Sequence, residues 1–355
     1  MANAYTSQAP GTWTITATMD GLHDSATLHV ITATVAALHL SPVTAAISAG
    51  QAITYTVLAT DSAGNTWDAT PGTYFTIDSP ARGAWDNGTY TAEMAGQWRV
   101  TALYGGHVIT GTLIVQHGTP TALSATPRQH TVAAGAHVAY TVMATDAWGN
   151  PWDATAQAAH VAPGEGIGTW TAPHYTSTHA GTWPITFTLG TAQAAAILTV
   201  THNTATHLTL APAGETLTAG ASISYTVWAR DAFGNGWDAT ADADYAIAPE
   251  AGGTWEEPHA RAHYTSQYAG TWPVTATVGA TATTAALTVT PGPAIALTLT
   301  PDLLTITAGE AVTYTAMAHD SYGNAWDVTS TAIYRHTSGA GGHWMANTYI
   351  GQAPG

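Results

Sequence analysis

Apolar and polar side chains alternate along short stretches of this chain, which is the period of a β-strand with one buried face. In residues 53–60 the positions Tyr55, Val57 and Ala59 share one face. Residues 97–104 repeat the pattern, with Trp98 and Val100 on one face. No stretch keeps a helical period, because β-branched residues, glycine and proline recur too closely for a helix. The alternation therefore predicts strands throughout.

Turn signals separate these stretches at short intervals. Ala49-Gly50 and Gly105-Gly106 follow apolar stretches, and Asn87-Gly88 suits a tight hairpin. Further strands are predicted at 38–40, within 67–77, and at 84–85, 90–91 and 108–115. About seven short strands with turns every 8–12 residues are typical of a β-sandwich of the immunoglobulin type.

One motif occurs four times at nearly fixed spacing. It reads Tyr-Thr-Val/Ala-x-Ala-x-Asp-x-x-Gly-Asn-x-Trp-Asp-Ala/Val-Thr, with steps of 85, 85 and 89 residues between copies that begin at Tyr55, Tyr140, Tyr225 and Tyr314. Two tryptophan series keep the same register: Trp13, Trp98, Trp183 and Trp272, and Trp85, Trp170, Trp255 and Trp344. A fixed internal period of this kind indicates a tandem array of one domain.

The period divides the chain into five segments. Three whole immunoglobulin-like repeats are predicted at 34–118, 119–203 and 204–292. Residues 1–33 are predicted to be the C-terminal part of such a repeat and residues 293–355 the N-terminal part of another. The predicted fold class is all-β, with tandem immunoglobulin-like β-sandwich domains in a linear array. The short linkers between repeats favour a semi-rigid series.

The two ends of the chain fall at the same place in the repeat. Residues 1–11 match residues 345–355, from a shared Met-Ala-Asn to a shared Gln-Ala-Pro-Gly. One hypothesis is a window cut from a longer array, which the lack of a signal peptide after Met1 also favours. The other is head-to-tail complementation, in which residues 1–33 of one chain supply the last two strands of the incomplete repeat 293–355 of another.

Composition and charge limit the partners. The 355 residues are 45% hydrophobic and 8% charged, with six arginines, no lysine and a formal net charge of −16. Nucleic acid and anionic membrane surfaces are disfavoured, because both need clustered Lys or Arg. No apolar run is long enough for membrane insertion within this segment. The 17 histidines predict self-association that depends on pH between about 5 and 7. Cysteine is absent, so stability rests on packing.

The stretch Tyr140-Thr-Val-Met-Ala-Thr-Asp-Ala-Trp-Gly-Asn-Pro151 resembles the bacterial immunoglobulin-like tandem repeats of invasin- and intimin-type surface proteins. Ala180-Gly-Thr-Trp183 is similar to the later Ala-Gly-x-Tyr strand of those repeats, with Trp where Tyr is usual. The resemblance covers the whole chain. It implies immunoglobulin-like domains at an extracellular or cell-surface location, in an adhesin, stalk, sheath or fibre.

The conserved spacing within the motif gives a first candidate site. Asp61, Asn65 and Asp68 recur at the same register in every copy. Their oxygens would suit Ca²⁺, which is the one cofactor that the sequence gives reason to consider. The alternative is turn chemistry, in which Asp caps the turn and Gly supplies the positive φ. We favour the turn and expect no cofactor, because a calcium loop normally gathers more carboxylates.

The turn tip is the better candidate for contacts. The residue before its glycine is Ala63, Trp148, Phe233 and Tyr322 in the four copies. Three large aromatics at an exposed turn predict an interface. We expect Trp148, Phe233 and Tyr322 to contact the next repeat or a neighbouring chain. Local packing over the turn is the alternative.

Other candidates are weaker. The recurring Trp67, Trp85 and Trp98 are predicted to be core residues rather than a sugar platform. Glu256, Glu257, His259 and His263 lie together on a predicted loop, without the helix that would suit a metal. No catalytic constellation is evident, so an enzyme is not expected.

The sequence thus predicts a structural component of an extracellular fibre or surface filament. Its partners would be copies of itself or neighbouring repeats. The alternative is the stalk of a cell-surface adhesin that projects a binding domain absent from this segment. A third hypothesis is a module that binds surface glycans.

Overall fold

A computed structural model describes residues 4–162, 168–256 and 260–352. Within these ranges the secondary structure consists of β-strands and three single-turn 3-10 helices, at Thr70–Gly72, Ser79–Ala81 and Pro249–Ala251. The all-β prediction is confirmed. Each short helix has a proline in its first turn, where the fixed φ of proline suits a helix start. No helix among the described residues is long and apolar enough to cross a membrane.

The strands follow the sequence repeats. Those before and within the first repeat are β1 (Gly11–Met19), β2 (Leu22–Val30), β3 (Val35–Ser41), β4 (Thr44–Ser48), β5 (Ala52–Thr54), β6 (Thr56–Asp61), β7 (Thr66–Asp68), β8 (Tyr74–Ile77), β9 (Ala84–Asp86), β10 (Thr89–Thr91), β11 (Gly96–Tyr104) and β12 (His107–Gln116). Those of the second repeat are β13 (Pro120–Thr126), β14 (Gln129–Ala133), β15 (His137–Ala139), β16 (Thr141–Asp146), β17 (Pro151–Asp153), β18 (Ala159–Val161), β19 (Gly168–Thr171), β20 (His174–Ser177), β21 (Gly181–Leu189) and β22 (Ala192–Thr201).

The later strands repeat this order. The third repeat contains β23 (Ala205–Ala211), β24 (Gly214–Thr218), β25 (Ser222–Ser224), β26 (Thr226–Asp231), β27 (Gly236–Asp238), β28 (Asp244–Ile247), β29 (Thr254–Glu256), β30 (Ala260–Thr265), β31 (Gly270–Val278) and β32 (Thr281–Thr290). The last segment contains β33 (Ala296–Thr300), β34 (Ala311–Thr313), β35 (Thr315–His319), β36 (Ala325–Asp327), β37 (Gly342–Met345) and β38 (Thr348–Gly351).

Each whole repeat has the same sheet topology. In the first repeat the sheets have the strand orders β3-β6-β7, β5-β10-β9 and β4-β12-β11-β8. The long hairpin β11–β12 forms the centre of the four-stranded sheet, with β8 antiparallel to β11 and β4 parallel to β12. The second and third repeats have three sheets with the same orders. This is the immunoglobulin-like sandwich that the strand pattern predicts.

One predicted strand is divided. Residues 53–60 alternate without a break in the sequence, yet β5 pairs with β10 and β6 pairs with β3. Tyr55 lies at the crossing point, where its N–H donates to the carbonyl of Gly88 at 2.8 Å. Splits of this kind raise the strand number of the first repeat to ten, above the seven that we expected. The alternation in the sequence runs through the division because β5 and β6 bury the same face.

Contacts group the described chain into two compact units. The first comprises Met1–Thr131, His137–Thr176 and Thr182–Thr199, and the second comprises Val132–Ala136, Ser177–Gly181 and Val200–Gly355. Within the first unit, Leu40, Tyr55, Val57, Val100 and Leu113 form part of one buried cluster. Within the second, the matching cluster contains Leu210, Tyr225, Val227, Val274 and Leu287. Each fully buried side chain of this size contributes about 1.5–3 kcal/mol to folding.

The tryptophans pack as predicted, as part of the core. Trp85 lies against Tyr90 and Phe75, with ring centroids 5.0 and 5.3 Å away. Trp98 donates its indole N–H to the carbonyl of Met94 at 2.9 Å. Trp272 makes the equivalent bond to Tyr268 at 2.9 Å. Each indole thus has an acceptor for its N–H, as a mostly buried tryptophan usually does.

Replacing Trp98 by Phe is expected to lower the stability of the first repeat by about 1 kcal/mol, the net value of one hydrogen bond. Amide hydrogen exchange in β11 and β12 would measure the loss. Trp13→Phe removes the same kind of bond, from Trp13 to Ala9, outside this core, and should leave exchange in β11 and β12 unchanged. Equal exchange in Trp98→Phe and the parent chain would show that the bond contributes nothing.

Candidate functional site

The motif turn of the second repeat is closed by one carboxylate. Oδ1 of Asp146 accepts the N–H groups of Trp148 and Asn150, each at 3.0 Å. Oδ2 accepts the N–H of Gly118, in the linker from the first repeat, at 2.7 Å. The turn and the linker are therefore held by the same buried group.

The side-chain amide of Asn150 reaches into the first repeat. Its Nδ2 donates to the carbonyl of Glu93 at 2.8 Å, and its Oδ1 accepts the N–H of Ala95 at 2.9 Å. Nδ2 also donates to Oδ2 of Asp146 at 2.8 Å. Asp146 and Asn150 are only 3% and 2% exposed. Both ends of the buried amide are thus hydrogen-bonded, as burial of polar groups requires.

The turn aromatic covers a glycine of the first repeat. Gly50 has φ +85°, and a Cβ atom there would overlap the six-membered ring of Trp148. Gly118 lies under the same ring, where a Cβ would be 3.0 Å from Cζ3 of Trp148. Only glycine at position 50 therefore allows this close approach. Trp148 keeps 37% of its surface exposed, so the contact covers much but not all of the indole.

The second unit contains the same arrangement at its first turn. Oδ2 of Asp231 accepts the N–H of Asn203 at 2.9 Å. Asn235 donates Nδ2 to the carbonyl of Thr178 at 2.8 Å and accepts the N–H of Ala180 at 2.8 Å. Phe233 covers Gly135, where a Cβ would overlap the phenyl ring.

The arrangement recurs at the last turn of this unit. Oδ2 of Asp320 accepts the N–H of Gly292 at 2.7 Å. Asn324 donates Nδ2 to the carbonyl of Gln267 at 3.0 Å and accepts the N–H of Ala269 at 2.7 Å. Tyr322 covers Gly220, where a Cβ would overlap the phenol ring. We call each set of turn Asp, turn aromatic, turn Asn and covered Gly a joint.

The first motif turn, at Asp61–Asn65, has the polar contacts of a joint but no turn aromatic. Asn65 donates Nδ2 to the carbonyl of Gln8 at 2.7 Å, just before β1. Oδ2 of Asp61 accepts the N–H of Ala33 at 3.3 Å. The hairpin β1–β2 is therefore attached to the first repeat by the same polar groups, although Ala63 replaces the turn aromatic.

The carboxylates that were considered as Ca²⁺ ligands already accept hydrogen bonds from N–H groups of their own turns. The second motif carboxylate, at Asp68 and Asp153, accepts the N–H of Thr70 and of Thr155 respectively, each at 2.9 Å, in a separate small turn. In the described ranges no three His, Cys, Asp or Glu side chains form a group that could hold a metal. These contacts are those of the turn chemistry that we favoured. Of the Glu256–His263 cluster, the structure shows Nε2 of His263 3.7 Å from Oε1 of Glu256, and residues 257–259 lie outside the described residues.

The joint carboxylates are stabilised in their charged form. Burial raises the pKa of Asp146, but hydrogen bonds from Asn150, Gly118 and Trp148 outweigh burial and bring the pKa below its ordinary value. The balance is the same at Asp231. At Asp320 it lowers the pKa to about 2. These carboxylates therefore become protonated only at a pH below the usual range for aspartate, because the N–H donors stabilise their charged form.

The joints are consequently expected to persist between pH 7 and 5. A carboxylate with a lowered folded-state pKa contributes stability that is complete above its unfolded pKa of about 3.9 and is lost as the pH falls through the folded value. For Asp320 that window runs from about 4 down to about 2. The amide shifts of Gly292 and Tyr322, followed by NMR, should titrate in this window. A main inflection near pH 6 would instead show that histidine controls the joint.

Sequence reasoning singled out the turn aromatics as interface candidates but did not say what they cover. It did not identify the glycines of the joints or the amide of the motif asparagine as a bridge. A signal was present for the glycines: Ala-Gly recurs in phase with the motif, at 49–50, 134–135 and 219–220. The partner of the amide is a main-chain group, which leaves no trace in residue type.

Comparisons with known proteins return similar folds. No protein-family model matches the chain, and no curated protein matches it. The S-layer protein SbsC, domains 1–6, aligns over 94% of this chain at 14% identity and a TM-score of 0.27, and the chain spans 50% of that structure's length. The Escherichia coli adhesin FdeC aligns over 71% of this chain and 96% of its own, at 19% identity and a TM-score of 0.43.

Invasin, a bacterial integrin-binding protein, aligns over 79% of this chain and 65% of its own, at 14% identity and a TM-score of 0.41. The similar structures thus include the class of bacterial surface protein whose repeats the motif resembles. All three TM-scores are below 0.5, so no conclusion about the role of this chain is drawn from them.

Proposed function

We propose that this chain is a structural component of an extracellular fibre or surface filament, built from immunoglobulin-like domains in series. The observation that carries the proposal is the joint. It recurs with the same four residue roles, three side chains and one covered glycine, at each motif turn that has a whole repeat before it. In this proposal Trp148, Phe233 and Tyr322 are the interface residues.

The chemistry of the joint suits a structural role. Its hydrogen bonds, from 2.7 to 3.0 Å, run from buried side chains to main-chain groups of two successive repeats. Such bonds fix the approach of one repeat to the next, where a linker alone would let it swing. The first and third repeats each keep a buried core of their own, so the stability of such a series is nearly a sum of unit and neighbour terms. A series of this kind can carry load and yield one unit at a time.

The alternative is the stalk of a cell-surface adhesin. The same joints would serve it, because a stalk also needs repeats held in series. The two functions differ in self-association: a filament subunit must bind its own copies, whereas a stalk must not.

Electron microscopy of native material from the producing cells, with antibodies against the repeats, tests the proposal. Filaments labelled along their length, with an axial repeat that is a multiple of one domain, are expected. Antibody label confined to single unassociated projections would overturn the filament and leave the stalk. Imaging at pH 7 and pH 5 tests whether histidine charge controls bundling.

A further inference from the structure

Two histidines of the second repeat project from the same face of one sheet. His137 lies on β15 and His174 on β20, and both are exposed. Val138 and Tyr175, which follow them, are 5% and 2% exposed and belong to the core. Because successive side chains of a strand point to opposite faces, both imidazoles lie on the solvent side of the sheet β15-β20-β19.

The two imidazoles are neighbours across the strand pair. His137 lies opposite Thr176, and Ala139 lies opposite His174. The histidines are therefore diagonal neighbours, a separation that aromatic side chains can bridge. Their ring centroids are 5.0 Å apart and their planes are inclined at 84°. The rings thus approach each other on an open surface, with small side chains at the two opposite positions.

This separation suits two imidazole ligands of one metal ion. A histidine nitrogen lies about 2.0–2.1 Å from zinc, and the ring centre lies about 1.2 Å beyond the nitrogen. At a tetrahedral angle, the centroids of two such ligands are therefore about 5 Å apart. The two rings already have that separation, so an ion can be bound by rotation of the side chains while the strands stay paired as they are.

The fold does not require histidine at these two positions. The equivalent residues are Ala52 and Thr89 in the first repeat and Ala311 and Thr348 in the last segment. Those strands pair in the same register with small side chains. The histidine pair is therefore not needed to form the sheet, and imidazole is the commonest metal ligand among protein side chains.

We propose that His137 and His174 form a binding site for a divalent transition-metal cation. The site takes ions that prefer imidazole, such as Zn²⁺, Cu²⁺ and Ni²⁺. In the described part of the chain, no third His, Cys, Asp or Glu forms a metal-holding group with them, so water completes the coordination. The formal net charge of −16, with no lysine, favours the approach of cations.

The site differs from a structural zinc centre in its openness. A structural centre closes the ion within four protein ligands, whereas a site with two protein ligands keeps positions for water. The bound ion should therefore exchange with metal in the medium. The inference goes beyond the proposed filament and does not depend on it, because both ligands lie within one repeat.

Zinc titration of the whole chain tests the site. Isothermal titration calorimetry, after removal of bound metal with a chelator, should show one ion per chain at the tightest site. His137→Ala and His174→Thr introduce the residues of the first repeat, so both variants should fold. Loss of an outer-shell partner already costs about 10–100-fold in metal affinity, so loss of a ligand should weaken binding at least about tenfold.

His130→Ala is the matched control for these two variants. His130 is an exposed histidine of the same repeat on β14, which belongs to a different sheet from the pair. Its removal should leave the affinity of the tightest site unchanged. Equal zinc affinities in the parent chain, His137→Ala and His174→Thr would overturn the inference.

Electron paramagnetic resonance of bound Cu²⁺ counts the imidazole ligands directly. At one equivalent of Cu²⁺, the parent chain should show two coordinated imidazole nitrogens, and His137→Ala and His174→Thr should each show at most one. A parent spectrum with a single imidazole nitrogen would mean that the pair does not bind the ion together, and the proposed site would be wrong.

The third repeat offers a gain-of-function test. Ser222 lies opposite Thr265 and Ser224 lies opposite His263, which is the register of the pair in the second repeat. Serine at position 222 therefore replaces the first histidine of the pair, and His263 retains the second. Ser222→His should build a second site and raise the zinc stoichiometry from one ion to two. In the background of His137→Ala it should restore one ion. No gain in either background would show that this register does not create a metal site.

Discussion

Replacing Asp146 by alanine is expected to destabilise the second repeat by about 3–5 kcal/mol. The substitution leaves the N–H groups of Gly118, Trp148 and Asn150 without their acceptor at a buried site. Each buried donor left unsatisfied costs about 1–3 kcal/mol, and water will relieve part of the total. At about 1.4 kcal/mol per tenfold change, exchange of the core amides of β16 should accelerate roughly a hundredfold or more.

Hydrogen exchange with mass spectrometry on the whole chain would measure this, with peptides of the third-repeat core as an internal reference. Asp153→Ala is the matched control, because it removes a carboxylate of the same motif that is exposed and accepts one turn N–H, from Thr155. Its cost should be within about 1 kcal/mol. Similar losses for Asp146→Ala and Asp153→Ala would show that the joint carboxylate has no special role.

Replacing Trp148 by alanine should loosen the joint while both flanking repeats stay folded. The indole covers Gly50 of one repeat from the turn of the next, so its removal exposes apolar surface on both sides. At about 25 cal/mol per Å² and roughly 100 Å² of lost contact, the coupling should weaken by about 2–3 kcal/mol. Paired spin labels on engineered cysteines in the first and second repeats should report a broader distance distribution.

The chain supplies its own conservative controls. Phenylalanine and tyrosine occupy this position at Phe233 and Tyr322, so Trp148→Phe and Trp148→Tyr should keep a narrow distribution. If the distance distribution of Trp148→Ala were as narrow as that of the parent chain, the aromatic ring would not be what fixes the geometry of the joint.

Gly50→Ala should reproduce the broadening from the other side, because its Cβ would occupy the space of the indole. It also incurs backbone strain, since φ is +85°, at a cost of about 1 kcal/mol. Gly309→Ala separates the two effects: φ there is +93°, and a Cβ would meet nothing within 4 Å. The alanine at 309 should lower local stability alone, whereas that at 50 should also widen the distance between labels.

Local features of this protein could be predicted from its sequence because they depend on residues close together in the chain. The period of two in residues 53–60 and 97–104 predicts strands that bury one face. The Asp-x-x-Gly-Asn turn follows from a short acceptor, a residue with positive φ and an amide, all within five positions. The 85-residue period predicts one sandwich repeated in series. Even the turn aromatics stand out, since three exposed rings at one register are unusual.

Tertiary structure decided the features that join distant positions. Local preferences do not predict that the strand through Tyr55 divides between two sheets. The division arises because the backbone groups of the two halves are hydrogen-bonded to different partner strands. The glycine beneath Trp148 and the carbonyl bound by Asn150 come from the repeat before, and a main-chain acceptor can belong to any residue. The sequence by itself determined which elements form and which residues turn the chain, since these follow from local backbone and side-chain chemistry. Only the folded arrangement determined which buried N–H meets which oxygen, and therefore where the joints lie.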